Sequence, residues 1–191
     1  MEGKIIIVSA PSGSGKSTII HRIMESGNVD MEFSVSATNR EPRGQEVDGK
    51  DYHFLTTEDF MRGIERGDFI EYEEVYPGRF YGTLRSEVNA RCAAGRNVVL
   101  DIDVKGGERV KRIFGDRAVS IFIMPPSVDE LRRRLEARAV DSPESIGERV
   151  GKAEYEMTFA PKFDHVVVND NLDKAVADTE KVILDFIGSG K

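Results

Sequence analysis

Tryptophan is absent from this 191-residue chain, and cysteine occurs once, at Cys92. A single thiol excludes an intrachain disulfide and any zinc site built on two or more cysteines. The three histidines, His21, His53 and His165, are too scattered for metal-ligand spacing. No stretch approaches the ~20 apolar residues that span a bilayer. The apolar run 5–8 is too short for the hydrophobic part of a signal peptide, so a soluble cytoplasmic protein is expected. Positive charge is also short: 27 Lys and Arg face 34 Asp and Glu, a net charge of −7. Such a surface argues against nonspecific binding to nucleic acid or an anionic membrane. It leaves room for a local cationic pocket, so where the arginines stand matters more than their number. What remains is ordinary globular composition, 39% apolar and 32% charged, enough for one domain or one domain with an inserted lobe.

Four apolar runs, 5–8, 98–100, 119–124 and 166–168, are β-rich and mostly continuous, the pattern of strands covered on both faces of a parallel sheet. Helical periodicity falls between or after them. It predicts helices over 17–26 (stopped by Gly27), 84–94 (stopped by Gly95), 128–138 (opened by the capping box Ser127-x-x-Glu130), 143–157 and 172–187. Strands alternating with helices predict an α/β fold with a doubly wound parallel sheet. Residues 33–83 break the alternation. They carry short alternating runs at 33–35 and 69–75, a Pro77-Gly78 turn and one short helix over 57–66, and read as a small mixed-β lobe. The tail 188–191 has turn composition.

The strongest motif is Ala10-Pro11-Ser12-Gly13-Ser14-Gly15-Lys16-Ser17. It follows an apolar strand and opens a helix, the context in which a glycine-rich loop cradles phosphates. Gly13 and Gly15 permit the tight curl that turns backbone N–H groups inward, and the helix N-terminus adds positive potential. Lys16 is then expected on the β and γ phosphates, and the Ser17 hydroxyl on Mg²⁺. Ala10 stands where this pattern usually begins with glycine. Asp101 closes the run 97–101 and is the candidate acid for the same Mg²⁺; its other reading is a cap of the next helix. Asp103 shares its face if the strand continues that far.

Two further cationic segments stand out. Arg40 and Arg43 flank Pro42 in a polar loop that runs on through Glu46 to Tyr52. Planar guanidinium groups there suit a phosphate, with the Tyr52 and Tyr81 hydroxyls as further donors; a solvated charged loop fits the same residues. Arg134 and Arg138 share a helix face, and with Arg149 they flank the connector 139–145, readable either as a lid over phosphates or as a solvated helix face.

Taken in order, the phosphate loop, the segments 33–43 and 49–52, Phe69-Ile-Glu71, Tyr81-Gly-Thr83, Leu100-Asp-Ile-Asp103, Pro125-Pro-Ser127 and Val168-Asn169-Asp170 resemble the guanylate kinases over nearly the whole chain. The resemblance implies Mg²⁺-dependent phosphoryl transfer from ATP to GMP or dGMP. It also implies a P-loop core (1–32, 84–126, 160–187), a GMP-binding lobe (33–83), and a lid with flanking helices (127–159) that closes on the substrates. By matched position, ATP would meet the loop from Ala10 through Thr18, together with Asn169 and Asp170. GMP would meet Ser36, Arg40, Arg43, Glu46, Tyr52, Glu71, Tyr81, Thr83, Asp101 and Asp103. Lys16, Arg43, Arg134, Arg138 and Arg149 would be the catalytic cations. Read without the resemblance, Glu71 would fall on the solvent side of an alternating strand. Beside the kinase stand two other readings: a non-catalytic phosphopeptide-binding module of the same fold, and a kinase for another nucleoside monophosphate. Oligomeric state is not encoded in any of these motifs.

Overall fold

The computed structural model of the chain describes residues 2–137 and 143–189. Nine strands and seven α-helices appear among them: β1 (Ile5–Ser9), α1 (Lys16–Ser26), β2 (Met31–Phe33), β3 (Ala37–Thr38), β4 (His53–Phe54), α2 (Thr57–Arg66), β5 (Phe69–Tyr76), β6 (Arg79–Leu84), α3 (Arg85–Ala93), β7 (Asn97–Asp101), α4 (Val104–Phe114), β8 (Ala118–Met124), α5 (Val128–Ala137), α6 (Pro143–Met157), β9 (His165–Val168) and α7 (Leu172–Gly188). A five-stranded sheet has the order β2-β7-β1-β8-β9, and a four-stranded sheet the order β4-β3-β6-β5. The first is the expected parallel sheet flanked by helices; β8 and β9 pair in parallel, Ile121 opposite His165. The second is mixed: β3 runs parallel to β4 and antiparallel to β6, and β5 pairs antiparallel with β6.

By compactness the chain divides into two units, one of residues 1–5 and 32–100, the other of residues 6–31 and 101–191. In the second unit, Ile6, Ile7 and Val8 of β1 and Ile121, Phe122 and Ile123 of β8 are wholly buried. Continuous apolar runs such as these need cover on both faces, which the helices provide. Leu131 and Leu135 of α5 pack with Ile146, Val150 and Ala153 of α6, and the Ser127 hydroxyl accepts the Glu130 N–H as the capping box requires. In the first unit, Phe60 of α2 stacks on Phe69 of β5 at 4.4 Å. A Cβ on Gly63 or Gly82 would fall 2.8 Å from the Phe69 ring, so these two glycines are what let the ring seat. Thr56 caps α2, its hydroxyl accepting the Asp59 N–H.

Four features depart from the sequence-based expectation. α4 was not foreseen: two glycines, Gly106 and Gly107, occupy its buried face beside Val104 and Val110, which erases the apolar period. The strand expected at 33–35 is replaced by β2, which joins the first sheet, and by the two-residue β3 in the second. β9 lies at the edge of its sheet, and Val166 and Val168 are about half exposed rather than covered on both faces. Finally, β7 ends at Asp101, so Asp103 does not share its strand face; it caps α4 instead, accepting the N–H groups of Lys105 and Gly106. The Arg138 assignment and residues 139–142 of the expected lid connector lie outside the described residues, as do 190–191 of the tail.

Phe60 is fully buried, so Phe60→Ala should cost about 3–5 kcal/mol of stability through lost contact and an unfilled cavity. Urea unfolding of the two proteins measures it.

Candidate active site

The phosphate loop belongs to the second unit. Gly13 and Gly15 hold φ of 91° and 88°, a region that side-chain-bearing residues rarely enter. Gly15 is the N-cap of α1 and, as a glycine, brings no side chain to cap that terminus. The first N–H groups of the helix are therefore left to a ligand, with the helix dipole behind them. The buried Ser14 hydroxyl has no hydrogen-bond partner among the described residues. Lys16 is ion-paired with Asp101, so β7 delivers its terminal carboxylate to the loop lysine. Ser17 and Thr18 stand exposed on the first turn of α1.

Asn169 holds the loop in shape. Only 4% exposed, it donates from Nδ2 to the Ser14 carbonyl at 2.7 Å, and its backbone N–H is fixed to Met124 O at 2.8 Å. A Cβ on Gly15 would stand 2.4 Å from that Nδ2. Glycine is thus required here for its φ and for the close approach of the brace. Expected as an ATP contact, Asn169 has its side-chain donor directed at the loop itself, while Asp170 is exposed. Two of the expected arginines converge on the same place. Arg149 Nη1 donates to the Ser12 hydroxyl at 3.3 Å. Arg134 donates to Asn169 O at 3.0 Å and to Glu130 at 2.9 Å. That contact is the first cause of a Glu130 pKa below the ordinary carboxylate range.

The first unit gathers a separate cluster. The Arg40 guanidinium lies 4.8 Å from the centre of the Tyr52 ring, donates from Nε to the Tyr81 hydroxyl at 3.1 Å, and grips Glu46 with both Nη atoms at 2.6 and 2.7 Å. Nη1 also reaches Glu41 O. One Nη2 hydrogen remains. Glu46 further accepts the Arg43 N–H at 2.7 Å. The Arg40 hydrogen bonds, then the Arg43 N–H, hold its pKa down at about 2. The Arg43 side chain is exposed. On the neighbouring strand pair, Glu71 of β5 lies opposite Thr83 of β6, and the Thr83 hydroxyl donates to Glu71 Oε1 at 2.6 Å. Glu71 is 5% exposed and Thr83 1%. The solvent-facing position that alternation alone would assign to Glu71 is therefore not what forms. Ser36 precedes β3, its carbonyl accepting the His53 N–H at 2.9 Å.

A phosphate cradle in one unit and an arginine–tyrosine cluster with a buried carboxylate in the other match a known pattern. The guanylate kinase family model matches residues 2–185. A guanylate kinase of Bacteroides fragilis is 54% identical over 187 residues, 98% of this chain and 91% of its own length. That of Salinibacter ruber is 55% identical over 185 residues, 97% of each. The crystal structure of guanylate kinase from Anaplasma phagocytophilum superposes with a TM-score of 0.77 at 31% identity, covering 97% of this chain and 87% of that one. The chain belongs to the guanylate kinase family.

Membership makes the chain a nucleoside monophosphate kinase, a phosphotransferase. No helix among the described residues is long and apolar enough to cross a membrane. For the Mg²⁺ that such kinases use, the chain offers the Ser17 hydroxyl and the Asp101 carboxylate. Among the described residues no three His, Cys, Asp or Glu side chains gather into a metal cage. Two hard oxygen donors beside a phosphate cradle fit a cation that takes most of its ligands from substrate and water.

One group in this guanylate kinase was missed from sequence. Glu156 of α6 is 7% exposed. Burial pushes its carboxyl above the ordinary range, against the opposing pull of Lys152 and Lys16 and with the help of Asp103. Its helical spacing from Val150 and Ala153 marks a buried position, but not which charges it would meet there. Because the folded pKa is raised above the unfolded one, the folded state binds the extra proton, and stability falls as pH rises past 4.5. Glu156→Gln should accordingly raise Tm at pH 8, with a smaller gain at pH 5, in thermal unfolding at the two values.

Proposed function

We propose that this guanylate kinase family member passes the γ-phosphoryl group of ATP to the phosphate of GMP or dGMP, and that the two units divide the work. A GMP phosphate oxygen forms the new bond to the γ-phosphorus, the bond to the β–γ bridging oxygen breaks, and its electron pair leaves with ADP. No protein nucleophile is needed, since the acceptor is already an anion. The obstacle is repulsion between polyanions and the ordering of two substrates, so catalysis is positioning and charge stabilisation. The loop amides from Gly13 to Lys16 and the Lys16 ammonium hold the donor phosphates. Arg134 and Arg149 add charge beside that loop. Mg²⁺, held by Ser17 and Asp101, would supply neutralisation of the β and γ oxygens. Residues 33–83 form the acceptor lobe: Arg43, the remaining Arg40 hydrogen and the two tyrosine hydroxyls take the GMP phosphate.

The buried Glu71–Thr83 pair carries the choice of base. Guanine presents N1–H and the N2 amine side by side, and a carboxylate accepts both. The Thr83 hydroxyl, donating to Glu71 Oε1, steadies that carboxylate for the base. Adenine offers an acceptor at N1 and no 2-amino group, so it sets a lone pair against a buried carboxylate and brings neither donor. An ADP-release assay with a panel of nucleoside monophosphates tests the reading. Turnover with GMP and dGMP well above AMP, UMP and CMP is expected; equal turnover with AMP would overturn it. Lys16→Met should lower kcat by orders of magnitude in a folded protein. Glu71→Ala should raise the KM for GMP by about tenfold or more while leaving the KM for ATP in place, and equal losses for both nucleotides would remove base reading from Glu71.

A further inference from the structure

Glu87, on the first turn of α3, lies outside every motif above, yet its carboxylate is tied to two segments that carry acceptor residues. Oε1 accepts the Val35 N–H at 2.9 Å, one residue before Ser36. Oε2 meets His53 Nε2 at 2.7 Å, one residue after Tyr52. Arg91, one turn along the same helix, donates to Oε1 at 3.1 Å and is itself anchored on Glu32 at 2.6 Å. The Glu87 side chain is 15% exposed, so the carboxylate is largely withdrawn from water, where a hydrogen bond to a charged acceptor is worth most.

The neighbouring backbone makes the arrangement a clamp. The His53 N–H bonds the Ser36 carbonyl, Ala37 pairs with His53 across β3 and β4, and Tyr52 carries the Arg40 guanidinium on its ring. α3 begins two residues after Thr83. One carboxylate thus joins the start of α3, which follows Thr83, to the backbone just before Ser36 and to His53, the first residue of β4, which follows Tyr52.

We propose that Glu87 is a positioning residue for the nucleotide acceptor: it sets the Ser36 and Tyr52 segments in register without touching GMP. The proposal rests on the acceptor reading given above. Without Glu87 the two segments lose their shared anchor. The penalty should fall on GMP binding and spare both ATP and the chemical step once GMP is saturating.

The test is steady-state kinetics of Glu87→Ala, Glu87→Gln and His53→Phe in the full chain, varying GMP and ATP separately, with Tm recorded for each. In Glu87→Ala the GMP KM should rise about tenfold, equivalent to about 1.4 kcal/mol. Glu87→Gln keeps an oxygen for the Val35 N–H and should rise less. In both, kcat and the ATP KM should stay within about twofold of the parent, a split that a simple loss of stability does not produce. His53→Phe should also raise the GMP KM, and combining it with Glu87→Ala should add little, because one link is being removed twice. Should the alanine variant not fold, Glu87→Gln and His53→Phe decide the matter by the same split. An unchanged GMP KM in both of those variants, or parallel rises for GMP and ATP, overturns the role of Glu87. If the parent protein passes no phosphate to GMP at all, it is the acceptor reading that fails, which the parent assay shows before any variant is made.

Discussion

A cation that waits for a phosphate in a half-buried place has to be paired while it waits, because an unpaired charge withdrawn from water is costly. Three of the cations described above meet this constraint with a carboxylate of the chain itself. Lys16 rests on Asp101, Arg40 on Glu46 and Arg134 on Glu130. The carboxylates hold the side chains in place, and the local folds supply them. β7 ends on Asp101, the loop after Arg40 turns back to bring Glu46 to it, and α5 places Glu130 one turn before Arg134. On the proposed function, substrate phosphates would meet cations that are already held in place, which lowers the ordering entropy that a free lysine or arginine would lose.

The scaffold around these pairs is only partly local in origin. The loop is shaped by two glycines in left-handed conformation and by an amide that arrives from the far end of the chain. The acceptor cluster is shaped by short strands whose register puts Glu71 against Thr83 and Tyr81 against Thr38. Short strands contribute little stability of their own, and the aromatic packing of Phe60, Phe69 and Phe80 beneath them keeps that small sheet in place.

What could be read from the sequence follows the range of the interactions involved. The phosphate loop, the strand before it and the helix after it are decided by adjacent residues, so glycine spacing and an apolar run reveal them. The cap of α5 lies within four residues and is equally visible. α4 was not, because glycines at its buried face leave no apolar period to detect. β3 and β4 are two residues long and have no pattern. The burial of Glu71 depends on the sheet that covers it, and alternation along β5 points the other way; only the family resemblance marked it. Asn169 and Ser14 are 155 positions apart, and no local signal announces that the amide braces the loop. Glu87 and His53 escaped notice for the same reason: each looks like an ordinary surface polar residue until the fold brings them together.

The Arg40–Glu46 pair sets a threshold of valence for whatever enters the acceptor cluster. Glu46 already offers the arginine a full negative charge in two-pronged geometry, with a Coulomb partner that cannot diffuse away. A chloride or a simple carboxylate brings no more charge than the group it would have to displace, and gains nothing by trying. A phosphate monoester at neutral pH brings nearly two charges and three oxygens, enough to share the remaining Nη2 hydrogen and the Arg43 fork while Glu46 stays where it is. On the proposed reading, the lobe would thereby favour a doubly charged phosphate over the monovalent ions around it.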